Sequence, residues 1–372
     1  MNKKASAGLY HQPWRLVQNH IRGSGGREID LFRGMDPAEA QDTRFGSEAW
    51  IGSVTRVERP PEDKPDYGCS ETVLPDGRRM YLYQAIEEAP EEVLGERHIA
   101  KSGTGLGMLI KYLDAYRQYG LQCHPTRPWA KKMWNSDYGK EESWYVISTR
   151  DDTAERAYIF LGFKEGVTRE VFEEHYHKGD IRALENLCHK IIVKPGEAYF
   201  IGGGCPHALG EGCFVIEVQE PSDITLGAHP IKLWRPDTPE EECRAYDERL
   251  LGAYIYDGCS YEENLRRWQI PRKTIREGSW GSECFIIGPE QTDYFSFTEL
   301  TVNGSAELLR TGFPQVAIVT GGSGKLVFDG GEMPIAKADE IFIPYDVPTL
   351  RAEGDVSIVL CNPEGVRYED IK

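Results

Sequence analysis

The sequence predicts a mainly β protein made of two barrel-like or jelly-roll halves with a small helical insertion. Three observations carry this. Short apolar runs bounded by Gly, Pro and Asn recur along the chain, among them 157–163, 191–193, 198–201 and 213–219, and then CFIIG, YFSFTELTV, VAIVTGGSGKLVF and EIFIPYDV beyond Pro271. Glycine and proline are abundant, with 39 and 22 residues, as expected of many tight turns. Sustained helical spacing is found in two stretches, 165–190 and 240–268. A chain of 372 residues exceeds one ordinary small domain, so two packed units are expected.

Composition narrows the function. The formal charge of −17 disfavours nucleic acid and anionic lipid as partners, since both need a basic face, and a small molecule fits better. No apolar run is long enough to cross a bilayer, and the basic start MNKKASAGLYHQPW lacks the apolar core of a secretory signal, so a cytoplasmic protein is expected. Nine scattered cysteines include no C-x-x-C pair. That argues against a disulfide framework and against a structural Cys-type zinc site, and suits a reducing compartment.

In chain order, residues 19–53 read as a glycine-rich loop, a short amphipathic segment and a strand over Phe45–Ser53, and 56–77 as a surface loop without periodicity. SGTGLG at 102–107 looks like a phosphate-cradling loop, but HIAK before it is a poor strand, so a turn is expected. Met108–Leu113 reads as a buried strand interrupted by Lys111, whose ammonium would either reach solvent or face an anionic ligand. Within 165–190, Val167, Val171, Phe172, Tyr176, Ile181, Leu184 and Leu187 outline one or two helices. His175 and His177 stand two apart there, share no face and are expected at the surface. The GGSGK segment of the C-terminal half reads as its clearest hairpin signal.

Chemistry concentrates in Leu121-Gln122-Cys123-His124-Pro125. In an extended strand Gln122 and His124 point one way, and Leu121 and Cys123 the other. Glu142 and His207, at the edges of later strand-like runs, could complete a metal site with them, because two imidazoles and a carboxylate with an open position suit a catalytic zinc. Along Cys213–Gln219, Phe214, Ile216 and Val218 alternate with Cys213, Val215, Glu217 and Gln219. A buried Glu217 is costly unless it is paired, near a metal or functional. His229 is the last histidine, so a second histidine-ligated metal site in the C-terminal half is excluded.

At these residues the chain resembles the type I mannose-6-phosphate isomerase family of zinc-dependent cupin enzymes. The resemblance rests on Glu48-Ala49-Trp50, the strand with Lys111 and Leu113-Asp114-Ala115, Gln122-x-His124-Pro125, Gly139-Lys140-x-Glu142-x-Trp144-Tyr145, Pro206-His207-Ala208 and Glu217-Val218-Gln219 before Ser222-Asp223. It covers about residues 20–230 by motif and the remainder by architecture. It implies one zinc ion held by His124, Glu142 and His207, with Gln122 as fourth ligand. It also implies Glu217 and Lys140 as catalytic residues, and Lys111 and Gln219 against a sugar or its phosphate.

The expected organisation is a metal-binding catalytic domain at 1–239 with the helical insertion near 165–190, a helical linker at 240–269 and a metal-free cupin-like domain at 270–372. The reaction implied is interconversion of mannose 6-phosphate and fructose 6-phosphate through an enediol. Two departures qualify it. Gly120 stands where relatives carry a phosphate-contacting serine, and Gly227 where they carry an arginine, a loss that His229, Lys232 or Arg235 could offset. An isomerase for an unphosphorylated or modified sugar is the alternative, and a catalytically silent sugar-binding cupin the second.

Overall fold

Strand periodicity is realised in three sheets of ten, six and five strands, and the chain divides into two compact units. The computed structural model describes residues 8–44, 46–58 and 60–366. Readings that fall on residues 1–7, Phe45 and Arg59 lie outside the described residues. One unit joins Met1–Leu113 with Pro271–Lys372, and the other is Asp114–Ile270. The linear division at 239 and 269 groups the chain differently, because it separates the N-terminal strand from the sheet that it completes.

That strand, Trp14–Leu16, pairs antiparallel with Glu340–Ile343 on one side and Glu71–Val73 on the other. Trp14 is fully buried against Phe342, with ring centroids 5.5 Å apart. The ten-stranded sheet of this unit is otherwise dominated by the long antiparallel strands Ser296–Glu307, Gln315–Phe328 and Leu350–Asn362. Leu300, Val302, Val319, Leu326, Ile341, Ile358 and their neighbours close an apolar core beneath it. Glu48–Ile51 and Leu109–Asp114 form a further antiparallel pair.

Three expectations need correction here. GGSGK is not a turn: Gly321–Gly324 lies inside the strand Gln315–Phe328, paired with Gly354–Ser357, and the chain reverses only after Phe328. The glycines serve close approach instead. Gly322 has φ +69°, and a Cβ there would lie 2.0 Å from the Asp355 carbonyl oxygen. HIAK is no strand, in line with expectation: it lies in the helix Glu96–Ser102, one of three short helices with Leu82–Glu88 and Pro90–Leu94, and a turn follows it. Within 56–77, Glu71–Val73 is a strand. Met108–Leu113 is a buried strand as expected, but Lys111 does not reach solvent: it is 3% exposed, with its ammonium 5.4 Å from the centre of the Trp50 ring.

The other unit has two antiparallel sheets. Gln269–Ile270, Ala198–Ile201, Glu142–Thr149 and Cys213–Gln219 lie side by side in one. Leu226–Gly227, Gln122–Cys123, His207–Leu209, Tyr158–Phe163 and Cys188–Ile192 form the second. Helices Arg169–Lys178 and Ile181–Asn186 realise the expected insertion, each started by a side-chain cap, Thr168 and Asp180. Phe172, Tyr176 and Leu184 pack with Leu250, Leu251 and Tyr254 onto the face of the second sheet that carries Cys123, Phe160, Ala208 and Leu226. Residues of the opposite parity, Gln122 and His207 among them, are thereby turned to the first sheet. The stretch 240–268 resolves into two helices, Glu240–Leu251 and Tyr261–Trp268. Among the described residues no helix is long and apolar enough to cross a membrane.

Candidate metal centre

The strand register brings the chemistry together. Gln122 pairs with His207, and Glu142 with Gln219, while Trp144 lies opposite Glu217. Directly opposed residues share a face, so Glu142, Trp144, Glu217 and Gln219 line one side of their sheet. His124 follows its strand immediately, and its carbonyl oxygen accepts the Gly204 N–H at 2.7 Å, which ties it to the loop before His207.

His124, Glu142 and His207 converge, their ligand atoms all within 4.8 Å of one another, and each is at most 1% exposed. His124 Nε2 stands 3.0 Å from Glu142 Oε2, and His207 Nε2 stands 3.2 Å from Glu142 Oε1. The far nitrogens fix the tautomers. His124 Nδ1 lies 2.9 Å from the Ile224 carbonyl oxygen and His207 Nδ1 2.9 Å from that of Cys205. A carbonyl only accepts, so each Nδ1 carries the hydrogen and each Nε2 turns a lone pair inward.

Burial, reinforced by the Lys140 charge, lowers the His124 imidazole to about 3, and burial lowers His207, so both rings are neutral at physiological pH. Burial alone would raise the Glu142 carboxyl, but Lys140 and then the two rings outweigh it and hold the group well below the usual carboxylate range. Neither Glu142 oxygen accepts a hydrogen bond of good geometry despite these short approaches. Three lone-pair donors therefore face each other in a buried space, with the Lys140 ammonium against His124 Nε2 and Glu142 Oε2 as the cation beside them. The donor set fits a divalent metal.

The structure places the remaining candidates as follows. Lys140 is buried, with Nζ 2.8 Å from His124 Nε2 and 3.0 Å from Glu142 Oε2. Gln122 is half-buried, with Nε2 3.3 Å from His207 Nε2. The two ends of its amide are assigned by hydrogen bonding, and the opposite assignment turns Oε1 to the cluster. Glu217 is 3% exposed and accepts the Trp144 indole N–H at 3.1 Å. Gln219 is fully buried and donates to the carbonyls of Glu220 and Ser222, at 2.9 and 2.6 Å, so it holds the turn after its strand. Lys111 belongs to the other compact unit. His175 is half-buried and His177 exposed, in line with surface positions.

Trp144, which the sequence motif Gly139-Lys140-x-Glu142-x-Trp144-Tyr145 contains without assigning it a role, has one in the structure. Its ring packs edge-on against His207, centroids 5.6 Å apart, while its N–H holds Glu217, so one indole links the acidic residue to the cluster. The signal for it was its place two residues after Glu142, on the same face of the strand.

The chain is similar to known proteins in both sequence and fold. The sequence family described as "Mannose-6-phosphate isomerase, cupin domain" matches residues 288–363. The chain is 27% identical over 268 residues to the probable mannose-6-phosphate isomerase GmuF of Bacillus subtilis, a match that covers 69% of this chain and 75% of the relative. The crystal structure of a mannose 6-phosphate isomerase from Bacillus subtilis superposes with TM-score 0.71 at 21% identity, covering 94% of this chain and 99% of that one. A zinc-bound holo mannose 6-phosphate isomerase structure superposes with TM-score 0.68 at 16% identity, covering 95% and 99%. The fold is thus that of cupin jelly rolls, here with open sheets.

Proposed function

We propose that the chain, which is similar to mannose-6-phosphate isomerases in sequence and fold, is a zinc-dependent aldose–ketose isomerase of the type I family. The observation that carries the proposal is the convergence of His124, Glu142 and His207, with two inward imidazole lone pairs facing a buried carboxylate. Mannose 6-phosphate and fructose 6-phosphate are the first reactants to test, because the curated relatives bear that name.

His124, Glu142 and His207 would hold the zinc, with Gln122 able to turn its amide oxygen to the same point. A zinc ion held by these residues would supply Lewis-acid polarisation of the carbonyl and adjacent hydroxyl of an open-chain sugar. Glu217, on the same face as Glu142, would take the proton from the carbon beside the carbonyl and return it to the neighbouring carbon. The Trp144 indole fixes that carboxylate in place. Lys140 would oppose the negative charge that develops on the substrate oxygens.

A second substrate reading, an unphosphorylated hexose, is favoured by one feature. An imidazole, that of His229, covers Gly227, and the nearby cations Lys232 and Arg235 lean on Glu240 and Glu242.

A coupled assay of the zinc-loaded protein tests the central reading, with mannose 6-phosphate and free mannose offered in parallel. Ketose formation from either, abolished by chelation and restored by zinc, is expected. Failure of both sugars with stoichiometric zinc bound would reject the isomerase.

A further inference from the structure

The metal cluster meets solvent along one edge. His124, Glu142 and His207 are buried, whereas Gln122 and its strand partner Gly227 are half-buried. After Gly227 the chain makes a three-residue turn, with the His229 N–H donating to the Gly227 carbonyl at 2.7 Å, and Ala228 N–H is anchored on the Leu121 carbonyl at 2.7 Å. This turn folds the His229 ring back over Gly227. A Cβ at position 227 would lie 2.5 Å from the ring's Cε1 and 2.8 Å from Nδ1, so the glycine is what leaves room for the imidazole.

The single helical turn Ile231–Leu233 then places Trp234 beside that ring, centroids 6.4 Å apart at 65°. Trp234 is 47% exposed, one of the few large apolar side chains left in solvent among the described residues. Burial lowers the His229 imidazole, which leaves the ring neutral at physiological pH. Of the two cations of this segment, Lys232 pairs with Glu240, and Arg235 lies with its guanidinium on Trp234, 4.9 Å from the ring centre, and 3.9 Å from Glu242.

We propose that His229, backed by Trp234, is a specificity-determining wall at the open edge of the candidate metal centre, and that it selects a hexose whose far end is uncharged rather than phosphorylated. The proposal rests on the isomerase reading for the position of the sugar, and it adds the residues that read its other end. A neutral imidazole both donates to and accepts from hydroxyl groups, and the part of the indole that Arg235 leaves uncovered offers an apolar surface to the C–H side of a pyranose or extended hexose. A dianionic phosphate against the His229 ring would lose water to an uncharged partner, while the Arg235 guanidinium stays engaged on Trp234.

Binding is measured without turnover, by saturation-transfer NMR and calorimetry with D-mannose and D-mannose 6-phosphate on the zinc-free protein. Steady-state kinetics on the zinc-loaded protein run beside it. Free mannose is expected to bind at least as tightly as the phosphate ester. His229→Ala, and independently Gly227→Ala, which would push the ring out, should each weaken mannose binding and raise its KM about tenfold with kcat within about twofold. Trp234→Ala should act in the same direction. His229→Gln, which keeps a hydrogen-bonding side chain, should recover part of the loss.

Mannose 6-phosphate bound more than tenfold tighter than mannose, with affinity lost in Arg235→Ala and unchanged in His229→Ala, would overturn the proposal and make Arg235 the phosphate arm while leaving the isomerase reading intact. Mannose binding that depends on His229 in a zinc-loaded protein that turns over neither sugar would do the reverse.

Discussion

Replacing Glu142 by glutamine tests the metal centre through stability as well as activity. In the wild-type protein the carboxylate faces two imidazole lone pairs and Lys140, all buried. A ligand that binds only the folded state at one hundred times its Kd adds about 2.7 kcal/mol. For a domain of this size each kcal/mol moves the midpoint by about 2–4 °C, so zinc should raise Tm by roughly 5–10 °C over the chelated protein.

Glu142→Gln removes the only anionic donor among the three clustered side chains and leaves the Lys140 ammonium, whose side chain is 4% exposed, without the carboxylate 3.0 Å away. The metal-free variant should therefore be less stable by about 3 kcal/mol, and zinc at the same concentration should shift it by less than about 1 °C. Adding Lys140→Met to that variant should return part of the loss, because the uncompensated charge goes with it. Differential scanning calorimetry with and without zinc reads all three proteins. A Glu142→Gln variant that keeps the full zinc-dependent shift would refute the assignment of Glu142 as a ligand.

Two further predictions concern the scaffold. Arg150 holds Asp114 with both carboxylate oxygens at 2.8 Å and no exposure of either side chain. Asp114→Asn, which takes the negative charge away from the buried guanidinium, should cost about 3–5 kcal/mol in urea unfolding, and a loss below 1 kcal/mol would mean that the pair carries no such weight. His98 is fully buried, its Nε2–H donates to the Gly105 carbonyl at 2.7 Å, and burial lowers its pKa. Because the folded value lies below the unfolded one, the unfolded chain takes up the proton first. His98 therefore supports folding above about pH 6.5, and that support fades as pH falls from there through the folded value. His98→Gln should flatten this part of the stability profile, and an unchanged slope between pH 6.5 and 5 would count against it.

How much of this was legible in the sequence follows from the range of the interactions. The alternation of Leu121, Gln122, Cys123 and His124 is local, and the structure keeps it, with Leu121 and Cys123 in the core and Gln122 and His124 at the cluster. The meeting of His124, Glu142 and His207 came from motif resemblance, since no local rule brings strands so far apart in the chain into register. The helix Arg127–Trp134 went unread although its signals are present: Thr126 caps it and accepts the Trp129 N–H, and Pro128 sits in its first turn.

GGSGK misled because a glycine run marks either a turn or a close backbone approach. The partner strand that decides between them, Gly354–Ser357, lies some thirty residues on. The joining of Trp14–Leu16 to a C-terminal strand and the folding of His229 over Gly227 are likewise settled by contacts that no window of sequence contains.

The central claim is that three distant side chains hold a metal next to a carboxylate that moves a proton between adjacent carbons. Its most direct test is hydrogen exchange at C2 of the sugar in deuterated water, followed by NMR on protein of measured zinc content. One zinc per chain and exchange that falls at least a hundredfold in Glu217→Gln, with zinc retained, is the predicted result. Exchange that survives intact in that variant, or that proceeds at full rate after His207→Ala has emptied the protein of zinc, would contradict it.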